Sequence, residues 1–195
     1  VHISRPASSG HVGIIGVSFA RIEVQVPSGS HVDITQSSSA EIRGMRNAVD
    51  AVSQDGHIAL ADIRGDIRAH SDSGHIDATG VSGDTIALST NDGSLRLRNV
   101  TANSLDAKTS DGRIEAANLS IDGSAPHATL RSDDGSLHIS GRFSSRGSYD
   151  FSTGDGRAEL VLVPGSDLTV NVSTGDGRIY VDGSPYGDGD SAATH

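Results

Sequence analysis

The sequence predicts an all-β protein, a single-domain parallel β-helix-like solenoid of about seven to nine turns. Three observations in its 195 residues support this fold class. Glycines preceded by Asp or Ser recur every 18–23 residues, apolar residues alternate with polar ones on both sides of each glycine, and a hydroxyl residue stands three positions before it. Alternation with a period of two indicates short strands with one buried face, and the recurring register indicates that each turn stacks on the one before it.

Seven glycines define the repeat, at Gly56, Gly74, Gly93, Gly112, Gly135, Gly156 and Gly177. The positions seven and five residues before each glycine, and two and four residues after it, are apolar in every repeat, although only 34% of the chain is hydrophobic. This regularity predicts that these side chains form the core. The 28 predicted core residues are Val49, Ala51, Ile58, Leu60, Ile67, Ala69, Ile76, Ala78, Ile86, Leu88, Leu95, Leu97, Leu105, Ala107, Ile114, Ala116, Ala128, Leu130, Leu137, Ile139, Tyr149, Phe151, Ala158, Leu160, Val170, Val172, Ile179 and Val181.

Two further sets of residues recur in the same register. The hydroxyl residues are predicted to face inward and to hydrogen-bond one another and nearby backbone groups at a corner. They are Ser53, Ser71, Thr90, Thr109, Ser132, Thr153 and Thr174. A third apolar site follows most glycines by seven residues, at Ile63, Val81, Val100, Leu119 and Val163. After Gly135 this place is taken by Arg142, with Phe143 beside it, so the coil is expected to be irregular there.

An antiparallel sandwich or meander is the alternative fold. Asp-Gly between two alternating strands also favours an antiparallel hairpin. The parallel coil is favoured because the glycine, hydroxyl and apolar positions recur in register, as they do when like residues stack on like. The slender inward side chains, mostly Ile, Leu, Val and Ala, also suit a narrow interior.

The repeat divides the chain into three parts. Residues 1–47 depart from the regular pattern and are expected to form an N-terminal cap or irregular first turns, because a solenoid needs a cover over the end of its core. Residues 48–182 contain the regular repeats, and the long interval around 120–128 predicts a loop. Residues 183–195 lack periodicity and predict a flexible tail.

Composition and charge exclude several classes of function. The chain has 25 acidic and 15 basic residues and a formal net charge of −10, so a nucleic acid is not an expected partner. The absence of cysteine excludes disulfides, thiol nucleophiles and thiolate metal sites. No run approaches the roughly 18 apolar residues of a membrane helix, so this segment is not expected to insert into a membrane. Any anchor is expected in a part of the protein outside this sequence.

The repeated motif also resembles a known family. The pattern Ser/Thr-x-Asp-Gly-x-Ile/Leu, as in residues 109–114 and 174–179, resembles the bacterial β-strand-repeat "adhesin" domains of unknown function. The segment 24–29, followed by Val32-Asp33-Ile34, is similar to the beginning of those domains, and the resemblance covers roughly residues 20–182. It implies a right-handed β-helix-like fold on an extracytoplasmic protein (at the cell surface, in the periplasm or secreted) or on a membrane-anchored one. It implies no catalytic residues.

The aspartates before the turn glycines are the candidate metal ligands. In a coil they form one column, with carboxylates about 5 Å apart that repel one another and would attract a cation such as Ca²⁺. The alternative is that each carboxylate hydrogen-bonds N–H groups of its own turn and stays solvated. The second interpretation is preferred, because the Gly-Gly-x-Gly-x-Asp motif of calcium-binding coils is absent. The candidates are Asp92, Asp111, Asp134, Asp155 and Asp176, and no cofactor is expected.

Other arrangements that could carry chemistry are weighed in the same way. Asp111 and Asp134 would have the separation of a retaining glycosidase pair, but stacking produces that spacing automatically, and the chain has no Trp to hold a sugar. No Gly-x-Ser-x-Gly elbow marks a nucleophile. His57 and His75 are expected to face outward without a third metal ligand. Arg96 and Glu115 are expected to pair across adjacent turns.

We therefore expect a non-enzymatic structural or adhesion-type module, presented outside the cytoplasm, that acts through an elongated and repetitive surface. Its partner would be a protein or a glycan, and the chain would be a monomer or would associate end to end. The first alternative is a self-assembling filament scaffold, because an uncapped terminal turn offers unpaired backbone groups. The second is a glycan-binding or polysaccharide-processing β-helix.

Overall fold

The protein is described by a computed structural model that covers residues 11–15, 26–37, 39–163, 168–182, 184–188 and 191–194. In these residues every regular element is a β-strand. The described part therefore contains no helix that could cross a membrane. The strands are β1 (His11–Ile15), β2 (His31–Ser37), β3 (Ala40–Arg43), β4 (Val49–Ser53), β5 (Ile58–Ala61), β6 (Ile67–Ser71), β7 (Ile76–Thr79), β8 (Ser82–Thr90), β9 (Leu95–Thr109), β10 (Ile114–Ile121), β11 (His127–Ser132), β12 (Leu137–Phe143), β13 (Ser148–Thr153), β14 (Ala158–Leu162), β15 (Val170–Thr174), β16 (Arg178–Val181), β17 (Ser184–Asp188) and β18 (Ser191–Thr194).

The chain winds as a parallel β-solenoid of about eight turns, which confirms the predicted fold class. Successive turns contribute strands to two parallel arrays. The first sheet contains β1, β2, β4, β6, β8, the second half of β9, β11, β13 and β15. The second sheet contains β3, β5, β7, the first half of β9, β10, β12, β14 and β16. Because every one of these pairings is parallel, the antiparallel alternative is wrong for this part of the chain.

The predicted core is confirmed almost residue for residue. Of the 28 positions, all are buried except Val181, which is half-buried and packs against the others. The register places apolar residues on apolar residues of the adjacent turns. Leu97, for example, pairs with Ala78 on one side and with Ala116 on the other. The narrow aliphatic interior thus follows directly from the alternation in the sequence.

A third, shorter side connects the second sheet to the next turn. Its apolar positions are buried at Ile63, Val81, Val100 and Leu119, whereas Val163 is 38% exposed. At the predicted irregularity the pairing of β10 with β12 shifts its register, and Phe143 rather than Arg142 is buried. The ring of Phe143 packs edge-on against Tyr149, with centroids 5.0 Å apart. Burial raises the pKa of Tyr149, whose hydroxyl donates to the Ser144 carbonyl at 2.7 Å.

The hydroxyl column faces inward and bonds nearby backbone groups as predicted, but the predicted bonds between hydroxyls are not found among the described residues. Thr109 Oγ1 accepts the N–H of Gly112 at 3.1 Å and donates to the carbonyl of Gly93, one turn earlier, at 2.8 Å. The donation to the preceding turn's glycine recurs from Ser71 to Thr174. A hydroxyl has one proton to donate, so the donation to a carbonyl replaces the expected bonds between hydroxyls. These hydrogen bonds, here called the hydroxyl ladder, connect each turn to the preceding one.

The ends of the described chain differ from the regular repeat. Strand β2 already pairs in parallel with β4, so residues 31–37 belong to the coil. Residues 183–195, predicted as a flexible tail, contain β17 and β18, which pair antiparallel with β16 and β15. The prediction missed them because backbone hydrogen bonds to the edge of a last turn need no apolar alternation.

Candidate functional site

The outer face of the first sheet carries a groove, here called the β8 groove, of about 420 Å³. Its floor is formed by the short side chains of Ala87 and Ser89 on β8. Longer side chains stand on the two neighbouring strands, which are β6 and the second half of β9, and the groove extends across β6 to Asp50 and Val52 of β4. The groove is lined by Asp50, Ala51, Val52, Arg68, Ala69, His70, Ala87, Leu88, Ser89, Asp106 and Lys108.

The register of the sheet explains why the groove lies here. Ala87 pairs with Arg68 of β6 and with Asp106 of β9. Two residues further along the same strands, Ser89 lies between His70 and Lys108. A small residue between two long ones leaves a trough along the strand direction, because neighbouring strands are only about 4.8 Å apart.

The polar groups of the groove contact one another in two sets. Lys108 Nζ donates to Asp106 Oδ2 at 2.8 Å, while Asp106 Oδ1 is shielded from solvent without a hydrogen-bond partner. On the opposite wall, His70 Nδ1 lies 2.9 Å from Ser89 Oγ, and His70 Nε2 lies 3.2 Å from Asp72 Oδ1. In the part of the chain that the structure describes, the guanidinium of Arg68 has no ion-pair partner. The groove therefore combines free donor capacity with free acceptor capacity.

The predicted aspartate column is present on the outside of the coil. Asp92, Asp111, Asp134, Asp155 and Asp176 are all exposed and stand at the same place on successive turns. The described residues contain no cluster of three or more His, Asp or Glu side chains that could hold a metal ion.

The expected hydrogen bonds from the N–H groups of each turn to its own carboxylate are not found among the described residues. The turn N–H groups already have partners, because each aspartate N–H donates to a carbonyl of the preceding turn. Asp111 N–H donates to the Asn91 carbonyl at 3.1 Å, for example. The glycine N–H is taken by the hydroxyl ladder. The carboxylates are thus left to solvent.

The other residues singled out from the sequence lie on the second sheet or directly before its strands. His57 Nε2 is 3.4 Å from Asp77 Oδ2, and His75 Nδ1 accepts the N–H of Ser94 at 3.0 Å, so the two histidines do not share a site. Arg96 lies 3.8 Å from Glu115, which confirms the predicted cross-turn pair. Both partners of that pair are more than a third exposed, so it contributes at most about 1 kcal/mol.

Sequence reasoning missed the contact between Ser89, His70 and Asp72. The aligned repeats held a signal for part of it, since Ser89 and His70 both stand four residues before a turn glycine in adjacent repeats. It also missed a column of left-handed residues after the second sheet. Their φ values lie between 54° and 70°, which glycine and, among other residues, Asn and Asp tolerate best. They are Gly44, Asp62, Gly80, Asn99 and Asn118.

The parallel strands, the aliphatic interior and the repeated glycine corner define the class of the protein, a parallel β-solenoid domain. Within that class, the Toastrack DUF4097 family model matches residues 3–191, so the chain belongs to the Toastrack family. This match supports the β-repeat part of the resemblance seen in the sequence, and the family is one of unknown function. No curated protein and no solved structure matches the chain.

Proposed function

We propose that this domain is a non-enzymatic binding module, presented outside the cytoplasm, that holds an extended segment of a partner protein in the β8 groove. The observation that carries the proposal is the groove itself, where Ala87 and Ser89 form a floor between charged walls. Elsewhere the outward residues of the coil form a repetitive surface that supports the same elongated, adhesion-type function.

The shape of the groove favours an extended peptide. The groove covers three residues of β8, from Ala87 to Ser89, which is about 10 Å at 3.3 Å per residue, so it suits a short extended segment. A peptide in this trough would lie against the floor with its backbone. An extended backbone presents donors and acceptors in alternation, which suits walls that carry both Arg68 and Asp106.

The charges of the walls favour the same partner. Asp106 Oδ1 has no hydrogen-bond partner, and leaving a buried acceptor unpaired costs about 1–3 kcal/mol. A peptide N–H that paired with this oxygen, after the carboxylate rotated toward the groove, would recover that free energy. Arg68 on the other wall offers a guanidinium that binds carboxylates in a bidentate geometry. An acidic residue in the bound segment would therefore lie near Arg68.

A glycan fits the groove less well. Sugars bind to protein surfaces through the broad rings of Trp, Tyr and Phe and through hydrogen-bonding groups in a cleft, and the residues that line the β8 groove include none of these three. The rings of Phe143, Tyr149 and Phe151 are buried in the core. A peptide is accordingly the proposed ligand.

Location outside the cytoplasm is supported by the resemblance of the Asp-Gly repeat to extracytoplasmic β-strand-repeat domains. Fractionation of cells that make the full-length protein tests this part of the proposal. Recovery in the cytoplasmic fraction would contradict it.

Selection from a phage-displayed library of random peptides tests the binding function. Ala87→Arg fills the floor of the groove with a long side chain, and Ala117→Arg places the same side chain on the outer face of the second sheet as a matched control. Selected peptides are expected to bind the wild type and A117R equally and to bind A87R at least 10-fold more weakly. The proposal is wrong if no peptide is enriched, or if the enriched peptides bind A87R as well as the wild type while both variants keep their melting temperature.

A further inference from the structure

The floor of the β8 groove holds a serine in contact with a histidine and, through it, with an aspartate. Ser89 Oγ lies 2.9 Å from His70 Nδ1, and His70 Nε2 lies 3.2 Å from Asp72 Oδ1. Ser89 and His70 are half-buried, and the side chain of Asp72 is 53% exposed. A ligand in the groove would therefore reach the serine hydroxyl from the solvent side.

The chemistry of the three groups determines the direction of their hydrogen bonds. An ionised carboxylate only accepts hydrogen bonds, so the proton of the neutral imidazole must be on Nε2, facing Asp72. Nδ1 then carries the lone pair and accepts the hydroxyl proton of Ser89. A nucleophile, a base that can take its proton and a carboxylate that orients the base are the elements that activate a serine.

The opposite wall adds a positive charge. Lys108 is the neighbour of Ser89 on β9, so His70 and Lys108 flank the serine from adjacent strands, each about 4.8 Å away in backbone position. The Lys108 ammonium donates to Asp106 Oδ2 at 2.8 Å. Negative charge develops on the acyl oxygen when a serine attacks an ester, and this ammonium would stabilise the charge once it turned from Asp106 toward the ester.

Other serines in the same outward column lack this surrounding. Ser152 pairs with Arg131 on one side and with Ser173 on the other, so it has no imidazole beside it. The inward hydroxyls of the ladder use their proton for a backbone carbonyl. Ser89 is thus distinguished by its neighbours.

We propose that Ser89 is a nucleophile that accepts the acyl group of an activated carboxylic ester, so that the groove can hold a ligand covalently. Ser89 Oγ forms a bond to the acyl carbon, and the bond from that carbon to the leaving oxygen breaks. The serine proton moves to His70 Nδ1 and then to the leaving oxygen. One ester and one serine thus yield one seryl ester and one alcohol, and no oxidant or reductant is required. This step goes beyond reversible binding in the proposed function.

The test uses p-nitrophenyl acetate as the activated ester and the 195-residue domain as the protein. Nitrophenolate release gives the rate, and mass spectrometry with peptide mapping locates the acetyl group. Wild-type protein is expected to carry one acetyl group on Ser89, which hydroxylamine removes because it is an ester, whereas an acetyl-lysine amide is retained. S89A should not be acetylated at this position, and the matched variant S152A should react as the wild type does.

Variants of His70 and Asp72 test whether these residues activate the Ser89 hydroxyl or only lie close to it. H70Q is expected to lower the rate at Ser89 at least 10-fold. D72N should lower it several-fold, whereas the conservative D72E should retain most of it. Each variant should keep the wild-type melting temperature, since these side chains are on the surface.

Two results would overturn the inference. One is equal acetylation of Ser89 and Ser152, and the other is an unchanged rate at Ser89 in H70Q. Nitrophenolate release beyond one equivalent, present in the wild type and absent in S89A, would support Ser89 as the nucleophile. It would at the same time contradict the non-enzymatic part of the proposed function, so the two proposals can fail separately.

Discussion

At the scale of single residues, the glycine before each strand of the second sheet is explained by contact rather than by backbone conformation. A Cβ on Gly112 would overlap the carbonyl oxygen of Gly93, and the same overlap recurs on each turn from Gly74 to Gly177. The φ angles of these glycines are not in the left-handed region. Only a residue without a side chain lets the corners of successive turns approach so closely.

Gly112→Ala is therefore expected to destabilise the fold. The methyl group forces the backbone of the neighbouring turn to move, and overpacking of this kind costs about 1–3 kcal/mol or more. For a protein of this size we expect the melting temperature to fall by about 5 °C or more, measured by circular dichroism. Gly29→Ala is the control, because a Cβ there meets no atom within 4 Å. Equal melting temperatures for both variants would show that the close stacking of the corners is incorrect.

At the scale of elements, each strand is stabilised by the strands before and after it in the same sheet. Leu97 and Ile114 are completely buried, in adjacent turns of the second sheet. The charged residues that alternate with them, such as Arg96 and Arg113, remain outside. A shift of one residue in register would bury these charges, so the alternation itself selects the register.

Ile114→Asp or Leu97→Asp is expected to abolish folding, because a carboxylate in this aliphatic interior has no partner and its burial costs more than the stability of an ordinary domain. The measurement is thermal unfolding followed by circular dichroism. Arg113→Asp introduces the same side chain one position away, on the exposed face, and should change the melting temperature by only a few degrees. A cooperative transition at the wild-type temperature in I114D would contradict the burial of this position.

At the scale of the whole molecule, the C-terminal end of the coil is closed by two strands that are antiparallel to the strands of the last turn. β18 pairs antiparallel with β15, and β17 pairs antiparallel with β16. These pairings occupy the edge that would otherwise receive the first turn of another copy. The arrangement favours a single capped module over the filament scaffold, because the regular parallel edges of β15 and β16 are no longer open to a further turn.

Removal of residues 182–195 is expected to cause end-to-end association, because it exposes the edges of β15 and β16. Light scattering over a range of concentrations should give a constant mass for the full chain and a rising mass for the truncated one. Rods formed by the full chain at high concentration would instead support the filament scaffold. A constant mass for both chains would show that β17 and β18 are not needed to keep the chain from associating.

The sequence by itself determined the parallel coil, the glycine corner and 27 of the 28 predicted buried positions. These follow from burial, which repeats along the chain with the period of the strands. Only the tertiary structure decided what the outward residues do. The Ser89–His70–Asp72 contact depends on side-chain directions across two turns, the β8 groove on the sizes of neighbours in space, and the closing strands on backbone hydrogen bonds that any sequence can form. Burial of one face of each strand produces a periodic pattern of apolar residues in the sequence, whereas hydrogen bonds between distant residues produce no such pattern.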